Sequence, residues 1–245
     1  MRIFRRFTLT ATFLLLQVHI TATAAESNNL AIISQRLQKV LNKRRGYSLE
    51  QVFPSHQAEE IRNKQINLLN RFPDTKWIVK PSTPLQDGRP TLNILTSSKK
   101  QSQGQKFTFE AQQKLAIKTK GMKITSQELI SEYSILRSGK ETLPIRIGIP
   151  DIVLTGTRYD VDVIFETPLG ESIVAGGLIN LNPSHINNQT QPHIELAPLH
   201  SGGLFKSVKA PLKPGSQRWA ALLAHPDGII SITKHIKVVS KESEL

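Results

Sequence analysis

Two histidines and a glutamate near residue 195 form the first candidate site. His193 and Glu195 are separated by one residue, and His200 follows in the same polar stretch. On an extended strand, His193 and Glu195 would point to the same side, and a turn would bring His200 beside them. Two imidazoles and a carboxylate are ligands that suit zinc. The same pattern is common on the solvent-facing side of a strand. We therefore expect no metal or other cofactor, and we keep a metal-dependent hydrolase as an alternative.

Three carboxylates, Asp160, Asp162 and Glu166, lie in the segment 158–166. Neighbouring carboxylates can serve a glycosidase or bind calcium. In this segment, however, they alternate with apolar residues, which is typical of a strand that has one buried face and one face in water. We therefore expect the carboxylates to face solvent. The residues expected to face a core are Tyr159, Val161, Val163 and Phe165.

The segment His225-Pro226-Asp227-Gly228 is flanked on both sides by apolar, strand-like residues. Proline fixes φ at the first corner of a turn, aspartate suits the second corner, and glycine accepts a left-handed backbone. The sequence therefore predicts a β-hairpin here, with Gly228 in the left-handed region, rather than a catalytic site.

The whole chain has a formal net charge of +13, and the excess positive charge lies in its first half. Residues 26–140 contain 20 Lys and Arg against 9 Asp and Glu, whereas residues 141–245 contain 9 against 10. Clustered cations attract polyanions, although scattered lysines can also serve solubility alone. The residues predicted to bind a polyanion are Lys43, Arg44, Arg45, Lys99, Lys100, Lys106, Lys114, Lys118, Lys120 and Lys123.

The first 25 residues are predicted to be a cleaved signal peptide, which implies a periplasmic or secreted protein. Arg2, Arg5 and Arg6 precede a mostly apolar stretch, and Ala22-Thr23-Ala24 has the small residues of a cleavage site. The chain has no cysteine, which excludes disulfides and zinc sites built on thiolates. No later segment is apolar enough to predict a transmembrane span.

Residues 26–140 are predicted to form a basic α+β domain with two helices on an antiparallel sheet. Apolar residues recur at helical spacing in 30–41, after a cap at Ser27 or Asn28, and again in 58–72, before Pro73. Residues 77–79 predict a short strand, whereas 80–90 and the polar segment around Ser97 predict loops. From Phe107 the period changes to two, and Gly121 predicts a hairpin that returns through 124–137.

Residues 141–240 are predicted to form an all-β, immunoglobulin-like sandwich, followed by a tail at 241–245. Helical periodicity disappears in this half, and turn-rich segments separate short apolar stretches at the spacing of such sandwiches. The predicted strands lie near 143–149, 152–166, 172–181, 192–199, 203–211, 217–225 and 229–239.

Both halves resemble known folds at the level of pattern. The segments LAIISQRLQKVL, AEEIRNKQINLLNRF and KFTFEAQQKLAIKT resemble the cone-shaped fold of the nuclear-transport-factor-two family. The part from IPDIVLTGTRYDVDVIFETPLGESIVAGG to WAALLAHPDGIISITKHIKVV resembles immunoglobulin-like domains of exported bacterial proteins. Neither resemblance implies a catalytic residue. The cone-shaped fold implies a pocket inside its sheet, and Gln113 is the polar residue among the inward positions that the pattern assigns, so no acid–base pair is expected.

The leading functional hypothesis is an exported, non-enzymatic binding or scaffold protein of the cell envelope. Its basic first domain would contact an envelope protein, an anionic polymer or a lipid surface. Nucleic acid is not expected as a partner, because aromatic residues for base stacking are scarce. The alternatives are a small-ligand receptor or enzyme that uses a pocket in the α+β domain, and the hydrolase at His193, Glu195 and His200.

Overall fold

The computed structural model describes residues 17–43, 46, 48–139, 143–166, 170, 172–182, 192–199 and 202–244, with side chains from residue 28 onward. Most of these residues form antiparallel sheet, with two α-helices near the start. The helices are α1 (Gln17–Leu41) and α2 (Ser55–Arg71). The strands are β1 (Lys76–Ser82), β2 (Thr91–Ser102), β3 (Gln105–Lys120), β4 (Lys123–Gly139), β5 (Ile145–Gly148), β6 (Ile152–Leu154), β7 (Arg158–Phe165), β8 (Ala175–Asn180), β9 (Ala197–Pro198), β10 (Gly203–Lys209), β11 (Gly215–His225) and β12 (Gly228–Val239).

Both predicted helices are present, and each buries the apolar stripe that predicted it. In α1, Ile33, Leu37 and Leu41 recur at helical spacing and are buried. They share one core with Trp77 and Val79 of β1, with residues of β2 and β3, and with Ala58 of α2. The second helix ends where Phe72 caps it, directly before Pro73. The first helix begins at Gln17, upstream of the predicted cap at Ser27 or Asn28.

One large sheet runs through both halves of the chain. Its strand order is β1-β2-β3-β4-β12-β11-β8-β9, and β6 pairs in parallel with β12. The join between the halves is the pairing of β4 with β12, from Gly139 opposite Gly228 to Glu132 opposite His235. The sheet therefore passes directly from the first half of the chain into the second.

The predicted hairpin at His225-Pro226-Asp227-Gly228 is confirmed, but the role of its glycine is different. His225 and Gly228 are paired, and the backbone N–H of Asp227 donates to His225 Nδ1 at 3.1 Å. Gly228 does not have a positive φ. A Cβ at this position would lie 2.1 Å from the carbonyl oxygen of Ser138. Glycine is required here because β4 and β12 approach closely, and not because the turn is left-handed.

A second, three-stranded sheet of order β10-β7-β5 packs on the C-terminal strands of the large sheet. The predicted inward residues of β7 are all buried, which confirms the alternation that predicted this strand. They form one core with Trp219 of β11 and with Ile230, Ile232 and Ile236 of β12. Within this core, Trp219 Nε1 donates to the Tyr159 hydroxyl at 3.0 Å, and that hydroxyl donates to Gln217 Oε1 at 2.7 Å.

Other sequence-based assignments were also wrong. The predicted strand 152–166 is divided between β6 and β7, which lie in different sheets, because Gly156 adopts a left-handed φ of 73° between them. The predicted strand 192–199 is reduced to Ala197–Pro198. The polar segment around Ser97 is not a loop, because it belongs to the twelve-residue strand β2.

Candidate ligand-binding site

A cleft of about 540 Å³ lies between the two helices and the inner face of β1–β4. Its walls are mostly apolar and come from every surrounding element. Clefts of this size, with apolar walls and a few polar groups, are the usual form of small-molecule sites. Representative wall residues are Leu37 of α1, Ile61 and Leu68 of α2, Trp77 of β1, Ile94 of β2 and Ala111 of β3.

Polar side chains gather where the cleft meets the middle of the sheet. Gln113 and Glu132 both line it, and Gln113 Nε2 donates to Glu132 Oε1 at 2.6 Å. The other oxygen of Glu132 accepts a hydrogen bond from Arg218 at 2.7 Å. Glu132 and Arg218 are both largely buried, with side-chain exposures of 21% and 25%. This pair links the first half of the chain to the second.

The strand register explains why these residues meet. Gln113 is paired with Glu132, Glu132 with His235, and His235 with Arg218. Directly opposed residues on neighbouring strands project to the same face of a sheet, so this row crosses β3, β4, β12 and β11 on one face. The contact of Arg218 with Glu132 therefore depends on the join between β4 and β12.

A β-bulge in β4 changes which of its residues face the cleft. Lys114 is paired with Ser131 but the next residue, Leu115, is paired with Leu129, which leaves Ile130 as the extra residue. An extra residue reverses the alternation of side chains along the strand. Leu129 on one side of the bulge and Glu132 on the other therefore both line the cleft.

His235 lies between Glu132 and Arg218 and is buried. Burial, followed by the nearby positive charge of Arg218, holds the pKa of His235 below its usual value of 6.5. Glu132 and Asp151 act in the opposite direction, and Lys234 acts in the same direction as Arg218. The row thus places an imidazole whose burial disfavours its charged form beside an ion pair.

This lowered pKa predicts a loss of stability on mild acidification. The unfolded chain takes up the His235 proton near pH 6.5, whereas the folded protein does so only at lower pH. The stabilising contribution is complete above about pH 6.5 and is lost as the pH falls through the lower, folded-state pKa. Urea unfolding at about pH 7.5 and about pH 5.5 should show a smaller decline for a His235→Gln variant than for the wild-type protein. Equal declines would contradict this assignment.

The lysines predicted to bind a polyanion do not form one cluster. Lys99, Lys100 and Lys106 lie near the β2–β3 turn, whereas Lys118, Lys120 and Lys123 flank the β3–β4 turn. These two groups lie at opposite ends of β3, about 40 Å apart at the usual rise of a strand. Lys114 lies between them, and Lys43 is exposed after α1. Arg44 and Arg45 lie outside the described residues.

The candidate zinc ligands are only partly described. His193 and Glu195 are both exposed and lie in a segment without strand structure, which removes the strand geometry that would have aligned them. His200 lies outside the described residues. Among the described residues, no group of three or more His, Asp and Glu side chains is arranged to hold a metal ion.

Sequence reasoning identified Gln113 and missed Glu132, Arg218 and His235. The sequence pattern predicts a strand at Glu132 but assigns it no face, because the bulge at Ile130 disturbs the alternation. It also predicts strands at Arg218 and His235, but nothing local to either residue indicates that β12 pairs with β4. Only the long-range register brings these side chains together.

Residues 140–239 match the model of a family described as Domain of unknown function (DUF8623). The match spans β5 to β12, so it includes Arg218 and His235 but not Gln113 or Glu132. No curated protein matches this chain significantly. Neither helix, in the part of the chain that the structure describes, is long and apolar enough to cross a membrane.

Proposed function

We propose that this protein binds a small, largely apolar molecule in the cleft between its helices and its sheet. The observation that carries the proposal is the combination of mostly apolar walls with the hydrogen-bonded pair of Gln113 and Glu132, which lines the cleft and is held by Arg218. A filled apolar interior would offer a ligand neither space nor a means of orientation.

The charges at the cleft favour a neutral ligand. The carboxylate of Glu132 is compensated by Arg218 in a largely buried pair. Lys64 also lines the cleft and is paired with Glu60 at its solvent-exposed side. An ionic head group at the Gln113–Glu132 pair would have to compete with Arg218. A ligand with an apolar body and a neutral hydrogen-bonding end, such as a long-chain alcohol or amide, would use the walls for affinity and the polar row for orientation.

Filling the cleft should therefore weaken ligand binding strongly. Ala111 lines the cleft on β3, and an Ala111→Phe variant places a ring in that space. Phenylnaphthylamine, a neutral dye that fluoresces in apolar surroundings, serves as the probe. We expect the wild-type protein to bind it and the variant to lose affinity by about tenfold or more, because the apolar walls can no longer enclose it.

A Thr108→Phe variant provides the matched control. Thr108 lies on the same strand as Ala111 but projects to the opposite face, so binding should be unchanged. Thermal unfolding identifies variants that no longer fold, and the smaller Ala111→Leu change replaces Ala111→Phe in that case. Equal dye binding by wild-type, Ala111→Phe and Thr108→Phe proteins would show that the cleft is not the site.

We propose that residues 1–25 direct the chain to the periplasm or the cell exterior, as their basic and apolar pattern predicts. The two helices that pack on one face of β1–β4 support the resemblance to the cone-shaped family. The cleft lies where that resemblance implies a pocket, inside the sheet. The core shared by β7, β11 and β12 supports the immunoglobulin-like resemblance.

A further inference from the structure

The face of β1–β3 that points away from the helices carries an exposed apolar pair. In β1, Trp77 and Val79 are buried against the helices, so Ile78 between them projects outward and is 45% exposed. Leu95 of β2 is its direct cross-strand partner and is 37% exposed. The two side chains form an apolar centre on a face that is otherwise polar.

Four lysines surround this apolar pair. Lys80 and Lys114 lie in the adjacent cross-strand row, on either side of Asn93. Lys76 and Lys99 lie on the other side, towards the β2–β3 turn. None of these lysines forms an ion pair with a described residue, and Glu110 on the same face is already bound by Arg137 at 2.9 Å. We call Lys76, Ile78, Lys80, Leu95, Lys99 and Lys114 the outer-face patch.

A groove of about 600 Å³ continues the outer-face patch towards the second half of the chain. Gln112, which lines the groove, is the direct cross-strand partner of Leu95. Tyr133, Ile145 and Ile147 provide its apolar surface. Lys234 also lines the groove and is bonded to Asp151, and Arg146 and Glu166 complete the charged groups there.

We propose that the outer-face patch and its groove dock an acidic polypeptide segment that carries apolar side chains. Charge complementarity is the main argument, because the patch has four cations without a described acidic partner around an apolar centre. Protection of a sheet edge explains lysines on the edge strand β1, but it does not explain Lys99 on β2 or Lys114 on β3.

The shape of the surface favours a polypeptide over a lipid bilayer. The apolar side chains of the groove lie between β4 and β5 in a concavity that a flat membrane surface cannot enter. An extended chain can follow the groove, place an apolar side chain near Ile78 and Leu95, and set its carboxylates against the lysines. This docking surface lies on the opposite side of the sheet from the cleft and does not depend on the cleft proposal.

Charge reversal at two places tests the docking surface. One full-length variant combines Lys76→Glu, Lys80→Glu and Lys114→Glu, and a matched variant combines Lys118→Glu, Lys120→Glu and Lys123→Glu. Both carry the same change in net charge, and only the first alters the patch. Fluorescence anisotropy measures binding of a short labelled peptide rich in glutamate with interspersed leucines, and of a peptide with lysine in place of glutamate. Phosphatidylglycerol vesicles are the second probe.

The proposal predicts that the wild-type protein binds the acidic peptide and that high salt weakens the binding. The patch variant should lose about tenfold or more in affinity, while the matched variant stays within about threefold of wild type. Equal losses in both variants would overturn the proposal, since they would show a general charge effect. Absence of peptide binding, equal binding of the basic peptide, or patch-dependent binding of vesicles alone would also overturn it.

Discussion

We expect the free energy of unfolding of a Trp219→Ala variant to be about 3–5 kcal/mol lower than that of the wild-type protein. Trp219 is only 4% exposed and lies in the core between the large sheet and the three-stranded sheet. The substitution removes a large buried ring, and it also removes the donor that bonds to the Tyr159 hydroxyl. Urea unfolding followed by circular dichroism measures the difference.

Two variants separate packing from hydrogen bonding at this position. Trp219→Phe keeps much of the buried ring and loses the hydrogen bond, so we expect a loss of about 1–2 kcal/mol. Leu212→Ala removes a side chain that is 79% exposed and should change the stability by less than about 0.5 kcal/mol. A Trp219→Ala protein as stable as the Leu212→Ala protein would contradict the packing of the two sheets around Trp219.

A Gly228→Ala variant should lose about 3 kcal/mol of stability, because it forces β12 away from β4. The added methyl group would lie 2.1 Å from the Ser138 carbonyl oxygen and 3.2 Å from Gly139 Cα. These are backbone atoms on the neighbouring strand, so no flexible side chain can move aside. The strand pairing that joins the two halves of the chain has to shift.

Gly121→Ala is the matched control for this prediction. Gly121 lies in the β3–β4 turn with a φ of 60°, and nothing lies within 4 Å of a Cβ placed there. Its cost should be about 1–2 kcal/mol and come only from the left-handed backbone. A Gly228→Ala protein that is as stable as Gly121→Ala or more stable would contradict the close approach of β4 and β12.

Local sequence patterns predicted the elements that depend on neighbouring residues. The apolar stripe ending at Pro73 predicted α2, the alternation from Tyr159 to Phe165 predicted β7, and the turn residues at 226–228 predicted the last hairpin. Each of these signals is complete within one element. The segment TLNILTSSKKQS was missed as β2 because its second half is polar, although its even-numbered residues from Leu92 to Ser98 are buried.

The site could not be predicted in the same way, because its geometry is set by long-range pairing. Gln113 and Glu132 are brought together by the β3–β4 hairpin, but His235 and Arg218 join them only because β12 pairs with β4. A one-residue bulge at Ile130 then decides which residues of β4 face the cleft. The lysines predicted to bind a polyanion are spread out for a related reason, since residues close in sequence are far apart along a strand of sixteen residues, and their binding stays a prediction.

Native mass spectrometry of the full-length protein, after exposure to a total lipid extract and removal of excess lipid, tests the cleft most directly. The cleft proposal predicts a one-to-one adduct with a small apolar molecule on the wild-type and Thr108→Phe proteins, and its loss from the Ala111→Phe protein. Absence of an adduct on the wild-type protein, or an equal adduct on the Ala111→Phe protein, would contradict the proposal that the cleft is a ligand-binding site.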